Sequence, residues 1–157
     1  MKLKTWRPYI ISALIAMAVG GLSALLSMDG MEAYSTSVVK PPLTPPGWVF
    51  GVVWTILYAL MGISAAKIWL CSESIAKSHG LNLYVAQLIV NFFWSLIFFN
   101  AQAFGFAFVW LLLLWVLVLL MILQFYKVDK RAALLQIPYL IWLTFAAYLN
   151  LGVWILN

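Results

Sequence analysis

Acidic side chains, cysteine and histidine are almost missing from this chain. Asp29, Glu32, Glu73 and Asp129 are its only carboxylates, Cys71 its only cysteine and His79 its only histidine. All four carboxylates fall in connecting segments or at the ends of apolar stretches, which argues against an acidic proton relay in the membrane. The nucleophile and base pairs of ordinary hydrolytic catalysis are absent as well. A lone cysteine cannot form an intramolecular disulfide. No group of His, Cys and carboxylates has metal-ligand spacing, so no metal site is expected. Polar sequence is too sparse for a soluble domain or a long linker, and no pair of interrupted apolar segments suggests an inverted-repeat transporter.

What is there is apolar: 66% of the 157 residues are hydrophobic and only 8% charged, outside the range of soluble domains. Five stretches, about 8–27, 47–70, 81–101, 104–126 and 132–156, each hold about 20 residues or more, enough to cross a hydrocarbon core of about 30 Å as a helix. The expected fold is therefore all-α, an integral membrane bundle of five transmembrane helices forming one domain over 1–157. Counting crossings puts Lys2, Lys4, Arg7, Lys67, Lys77, Lys127, Lys130 and Arg131 on one side and Lys40 alone on the other. The positive-inside rule then places the N-terminus in the cytoplasm, with the C-terminus and the first loop, 28–46, outside. The net charge of +5 follows from that asymmetry and does not point to nucleic acid. The N-terminus resembles a signal peptide, but its apolar run reaches Ser27, longer than a cleaved signal requires, and reads as an uncleaved first helix. A bacterial plasma membrane is the simplest location, with membrane lipid as an unavoidable partner.

The first loop ends in Lys40-Pro41-Pro42-Leu43-Thr44-Pro45-Pro46-Gly47, with four of the six prolines. Such a run holds extended backbone, and either a shaped lid or a plain rigid connector satisfies it. Few residues separate the third and fourth stretches around Ala101 to Phe104, which predicts an antiparallel hairpin, with Asn100 and Gln102 available to satisfy freed backbone groups. The segments Ile68 to Gly80 and Lys127 to Arg131 read as solvated connectors. Ala16, Gly20 and Ala24 permit close helix contact by the first span.

The third stretch carries Tyr84, Gln87, Asn91 and Ser95 on one helical stripe, with Trp94 beside it. Polar groups at that depth need partners. Interhelical hydrogen bonds would supply them, and so would the wall of a ligand site; the stripe alone does not choose. The second stretch adds Trp54 and Tyr58, and the fifth adds Gln136, Pro138, Tyr139, Trp142, Phe145 and Asn150. Trp6, Trp48, Trp69 and Trp154 lie near span ends, as an interfacial belt would. Trp54, Trp94 and Trp142 do not, and buried indoles converging from several helices would make a flat-walled pocket for a large aromatic molecule. Trp110 and Trp115, set among Leu and Val, are expected in plain packing or lipid contact.

Three segments together resemble the translocator protein family, also known as TspO/MBR or tryptophan-rich sensory proteins. They are Lys40-Pro41-x-x-Thr44-Pro45-Pro46-Gly47 leading to Trp54; Ala86-Gln87-Leu88-x-x-Asn91-x-x-Trp94-x-x-Ile97-Phe98-Phe99; and Pro138-Tyr139-Leu140-x-Trp142-x-x-Phe145-Ala146-x-x-Leu149-Asn150. The likeness covers almost the whole chain. It implies a five-helix membrane receptor or sensor whose pocket, open toward the first loop, binds tetrapyrroles such as protoporphyrin IX, synthetic aromatic ligands and, in some members, sterols. By matching positions, Trp54, Tyr58, Asn91, Trp94 and Trp142 would line the pocket, with Tyr34, Pro45, Gln87, Phe145 and Ala146 nearby. No obligatory cofactor is implied, porphyrin being a ligand, and a homodimer is expected with its interface unassigned. Some bacterial relatives promote light-dependent porphyrin breakdown, in which Trp54 and Trp142 would be the catalytic positions. Otherwise the chain is not expected to be an enzyme; transport of a porphyrin or sterol-like lipid is the remaining alternative.

The first loop departs from the family pattern: Tyr34 stands where an indole is usual, and Ser35 and Leu43 replace rings. Less stacking surface is therefore expected in the lid, with porphyrin affinity or breakdown reduced or altered. The sterol motif of animal members is not matched after Tyr148. Leu123-x-x-Tyr126-x-x-x-Lys130 fits only a loose pattern that is common by chance.

Overall fold

The computed structural model describes residues 2–157, with side chains from Thr5 onward. Seven α-helices follow one another: α1 Lys2–Leu26, α2 Met28–Ser37, α3 Gly47–Trp69, α4 Ile75–Ser95, α5 Phe104–Val128, α6 Lys130–Leu135 and α7 Ile137–Leu156, with a π-helical segment Leu96–Asn100 continuing α4. There is no strand among the described residues. Among the described residues five spans are long and apolar enough to cross a membrane: Thr5–Leu26, Gly47–Trp69, Ile75–Asn100, Phe104–Val128 and Lys130–Leu156. The chain is an integral membrane bundle of five spans, as its composition requires.

Three element boundaries differ from the sequence expectation. The first loop is not all loop, because Met28–Ser37 is helical. Its low hydropathy hides it from any search for apolar runs, and Ser35, Thr36 and Ser37 satisfy their hydroxyls within the helix by donating back to the Glu32 and Ala33 carbonyls. The third span starts at Ile75 rather than near 81, because the Ser74 side chain caps it by accepting from the Lys77 amide at 3.1 Å. The last span breaks into α6 and α7 at Gln136, one residue before Ile137-Pro138. Proline there lacks the N–H that would continue the ladder, yet suits a helix's first turn.

The connectors at the basic end are not merely solvated. Lys77 is 5% exposed. Its Nζ donates to the carbonyls of Trp69 and Cys71, each at 2.9 Å, and to Glu73 at 2.7 Å, closing the C-terminus of α3. Cations are favoured at such an end, where carbonyls lack partners. Asp129 caps α6 by accepting from the Arg131 amide at 2.8 Å and lies 3.8 Å from Lys67. At the hairpin, Asn100 does not satisfy its own turn as expected; it donates 2.7 Å to the Leu26 carbonyl at the end of α1.

In packing, α1 lies on α3, α4 on α5, and α5 on α7. The core between them is formed by Met61, Leu111, Leu114, Val118, Met121, Phe125 and Leu143 among others, while the outward faces carry exposed Leu, Ile and Val, as lipid demands. Trp110 and Trp115 do more than pack: Trp110 Nε1 donates to the Val90 carbonyl at 2.7 Å and Trp115 Nε1 to Thr144 Oγ1 at 2.9 Å. The backbones of α1 and α3 approach closely at Gly62, where a Cβ would strike the backbone of Ala13 and the Ser12 carbonyl. Small residues permit such approach where no hydrophobic force acts between helices. Gly62→Ala is expected to destabilise the bundle by about 1–3 kcal/mol, an overpacking cost, measurable as a lower melting temperature in detergent; an unchanged melting temperature would contradict this packing.

Candidate ligand-binding site

A cavity of about 980 Å³ opens between α1, α3, α4 and α7 beneath α2 and the proline run. It is at the upper end of the range for small-molecule sites, about 300–1,000 Å³. Each wall has its own chemistry. From α3 come Phe50, Trp54 and Tyr58; from α4 Asn91 and Trp94, followed by Phe98 and Phe99 of the π-helical segment; from α7 Trp142, Ala146, Leu149 and Asn150. The fourth wall is α1, which offers almost no side chain: Met17, Gly20, Gly21, Ser23 and Ala24. Gly20 is needed there, since a Cβ would collide with the ring of Tyr58.

Rings along the walls hold one another in place. Trp54 meets Trp142 and Tyr139 edge to face, at 6.5 and 6.2 Å, and lies tilted against Tyr58 at 5.6 Å. Trp94 stacks on Phe98 at 5.0 Å, and Phe98 and Phe99 are both in contact with Tyr34 of α2. Offset and edge-to-face pairs of this kind contribute about 0.5–1.5 kcal/mol beyond area burial. The π-helical segment places two consecutive phenylalanines here. Its wide turn carries the Ala101 amide back to the Leu96 carbonyl, five residues away.

Beneath the rings runs a polar chain. Asn91 Nδ2 donates to the Tyr139 hydroxyl at 2.8 Å, and that hydroxyl donates to Gln87 Oε1 at 2.7 Å. Gln87 Nε2 lies 3.9 Å from Met61 Sδ. Nearer the mouth, Trp94 Nε1 donates to Asn150 Oδ1 at 3.1 Å, while Asn150 Nδ2 donates to the Phe104 carbonyl at 2.8 Å. Trp142 Nε1 is buried and has no partner among the described residues.

The proline run is a fitted cover, which decides between the lid and the plain connector. Tyr148 donates its hydroxyl to the Pro42 carbonyl at 2.9 Å, and Asn157 makes two bonds to the backbone of Val39, at 3.0 and 2.8 Å. Lys40, Thr44, Pro45 and Pro46 line the mouth below. Lys40 is the only charged side chain on the cavity among the described residues; its Nζ lies 4.8 Å above the Tyr34 ring and donates to the Ser35 and Val38 carbonyls. Burial pushes the Tyr34 phenol above its ordinary range, so it stays neutral beside that cation.

Of the positions expected from sequence, Tyr34, Pro45, Trp54, Tyr58, Asn91, Trp94, Trp142 and Ala146 line the cavity. Gln87 does not: it is fully buried and serves as the base on which Tyr139 rests. Phe145 also stands back, supporting Trp142 from 5.5 Å. The altered loop positions separate, Ser35 facing the cavity and Leu43 standing 80% exposed with φ 70°. Sequence reasoning missed the α1 wall, although the recurrence of Gly20, Gly21 and Ala24 was visible. It also left out Phe50 and Asn150 as lining groups.

Similarity to known proteins spans the same region. The TspO/MBR family profile matches residues 12–155. The chain is 38% identical to the tryptophan-rich protein TspO of Chlorobaculum tepidum, covering 91% of each protein. It is also 38% identical to the protein CrtK of Rhodobacter capsulatus, covering 91% of this chain and 89% of that one. With the translocator protein of Ovis aries it shares 36% identity over 95% of this chain and 89% of the other.

Tyr139→Phe would strand the Gln87 carbonyl and the Asn91 amide in the core. The expected cost is about 1–3 kcal/mol, seen as earlier thermal unfolding in detergent, whereas Tyr126→Phe, at an exposed hydroxyl on α5, should leave unfolding unchanged.

Proposed function

The chain belongs to the TspO/MBR family, and on that premise we propose that it is a membrane receptor or sensor binding a tetrapyrrole of the protoporphyrin IX type, and so modulating porphyrin metabolism or a stress response. The observation that carries this reading is the aromatic-walled cavity of about 980 Å³ with one cation at its mouth. Its flat rings suit a planar macrocycle. Lys40 suits a carboxylate on the macrocycle's edge, and the unpaired Trp142 N–H suits an acceptor such as a second carboxylate or a carbonyl. Basic side chains at the end opposite the proline cover support the orientation given by the positive-inside rule, with the N-terminus cytoplasmic in a bacterial plasma membrane. The same reading takes the protein as a homodimer.

A second reading, light-driven porphyrin breakdown, draws on the Trp54–Trp142 contact at the cavity wall. An indole beside a photoexcited macrocycle can donate one electron to it, leaving an indole radical cation and a reduced porphyrin. Loss of porphyrin absorbance under illumination should then be slower in Trp142→Phe than in the unaltered protein, and equal rates would sink that reading.

Binding itself is tested by titrating protoporphyrin IX and following quenching of intrinsic tryptophan fluorescence. Saturable quenching is expected, with Trp142→Phe weakening affinity about fivefold for the lost N–H and ring area. Lys40→Met should weaken the dicarboxylic porphyrin about threefold to fivefold and leave its dimethyl ester unaffected. Quenching that never saturates, or that ignores both substitutions, would remove the basis for a porphyrin receptor.

A further inference from the structure

One layer below the cavity floor, toward the basic end, two more buried side chains have no partners. Gln136 is fully buried, yet among the described residues neither its Nε2 nor its Oε1 finds a hydrogen-bond partner, and the hydroxyl of Tyr84, a residue 8% exposed, finds none either. Their relative depth follows from register. Both α4 and the α6–α7 span run from the basic end toward the proline cover, so they are parallel, and Tyr139 ties them together by bonding Gln87 and Asn91. Tyr84 lies three residues before Gln87, and Gln136 three residues before Tyr139. Register therefore sets the two unpartnered groups at a similar depth, about one turn nearer the basic end than Gln87 and Tyr139.

Backbone geometry supports a site at this depth. The helix breaks at Gln136, whose amide reaches back to the Ala133 carbonyl, while the Ala132 carbonyl accepts instead from Ser64 Oγ at 2.7 Å. Pro138 supplies no N–H to the turn before it. A primary amide with two donors and two acceptor lone pairs, together with a phenol, is thus enclosed beside a broken helix. Buried polar groups left in this state are ordinarily satisfied by internal water, which takes two to four partners.

We propose that Tyr84 and Gln136 hold ordered water, forming an internal water site that prolongs the Asn91–Tyr139–Gln87 chain toward the basic end. The cavity floor then rests on a hydrated polar column. Water is the ligand that fits, because the groups on offer are a neutral amide and a neutral phenol, neither of which brings a charge to balance an ion.

The test is a double-mutant cycle on thermal unfolding, using Tyr84→Phe, Gln136→Leu and the pair. Each single change should lower the melting temperature by about 2–4 °C, and the pair should lose clearly less than the sum, since either change alone breaks the shared water network. A dry site gives the opposite sign: removing a stranded polar group raises the melting temperature. A rise in either single variant, or strictly additive losses, would overturn the proposal. Should Gln136→Leu fail to fold, Gln136→Met with Tyr84→Phe completes the same cycle. An experimental density map fine enough to show water should place a peak within about 3.2 Å of the Gln136 amide, and a clear map without one would overturn the proposal equally. Neither readout requires a bound porphyrin.

Discussion

Hydrocarbon offers no hydrogen bonds, and that single constraint organises this bundle. A polar atom inside it must find a partner in the protein, because leaving it bare costs several kcal/mol. Asn91, Tyr139 and Gln87 answer one another between α4 and α7, and Trp94 and Asn150 join the same two helices again nearer the mouth. Their chain sets the relative depth of α4 and α7, and with it the level at which Trp54, Trp94 and Trp142 face a common space. Position in this protein is set by donors and acceptors; the apolar surface, which lipid would cover as readily as protein, cannot set it.

The cavity is what remains when three ring-bearing helices are held apart by their own aromatic contacts and the fourth has almost no side chains to fill the gap. Gly20 and Gly21 keep α1 thin at the level of the rings. Small residues on one helix face and large ones on three others make a void without stretching any contact. The cover completes it. Its prolines fix their own backbone, and bonds from Tyr148 and Asn157 seat that backbone on α7.

Much of this was legible from residues alone. Hydropathy located the spans because crossing length and composition are imposed by the bilayer. The ring-bearing walls were legible through family likeness, which carries spatial information that spacing does not. What stayed hidden shares a physical reason: the hidden features are polar or irregular. Helix α2 is too polar for a hydropathy search, and the start of α4 depends on a capping serine. The burial of Lys77 depends on three carbonyl and carboxylate partners brought together only by folding. The place of Gln87 behind the wall is hidden for a related reason: a stripe on one helix cannot tell which of its members faces a void and which faces a neighbouring tyrosine.

The π-helical segment Leu96–Asn100 gives the third span an unusual tolerance of length. A π turn is an α-helix carrying one residue too many, with the surplus confined to a single turn. Removing one residue inside it would restore ordinary helix while leaving the faces before and after in the same relation: Asn91 and Trp94 toward α7 on one side, the bond to the Leu26 carbonyl on the other. The same deletion ahead of Tyr84 would rotate everything beyond it by about 100°, one residue's share of a helical turn, and turn the polar stripe away from α7. A change of one residue in this span is therefore absorbed at one place, and it lies at the cavity's aromatic edge.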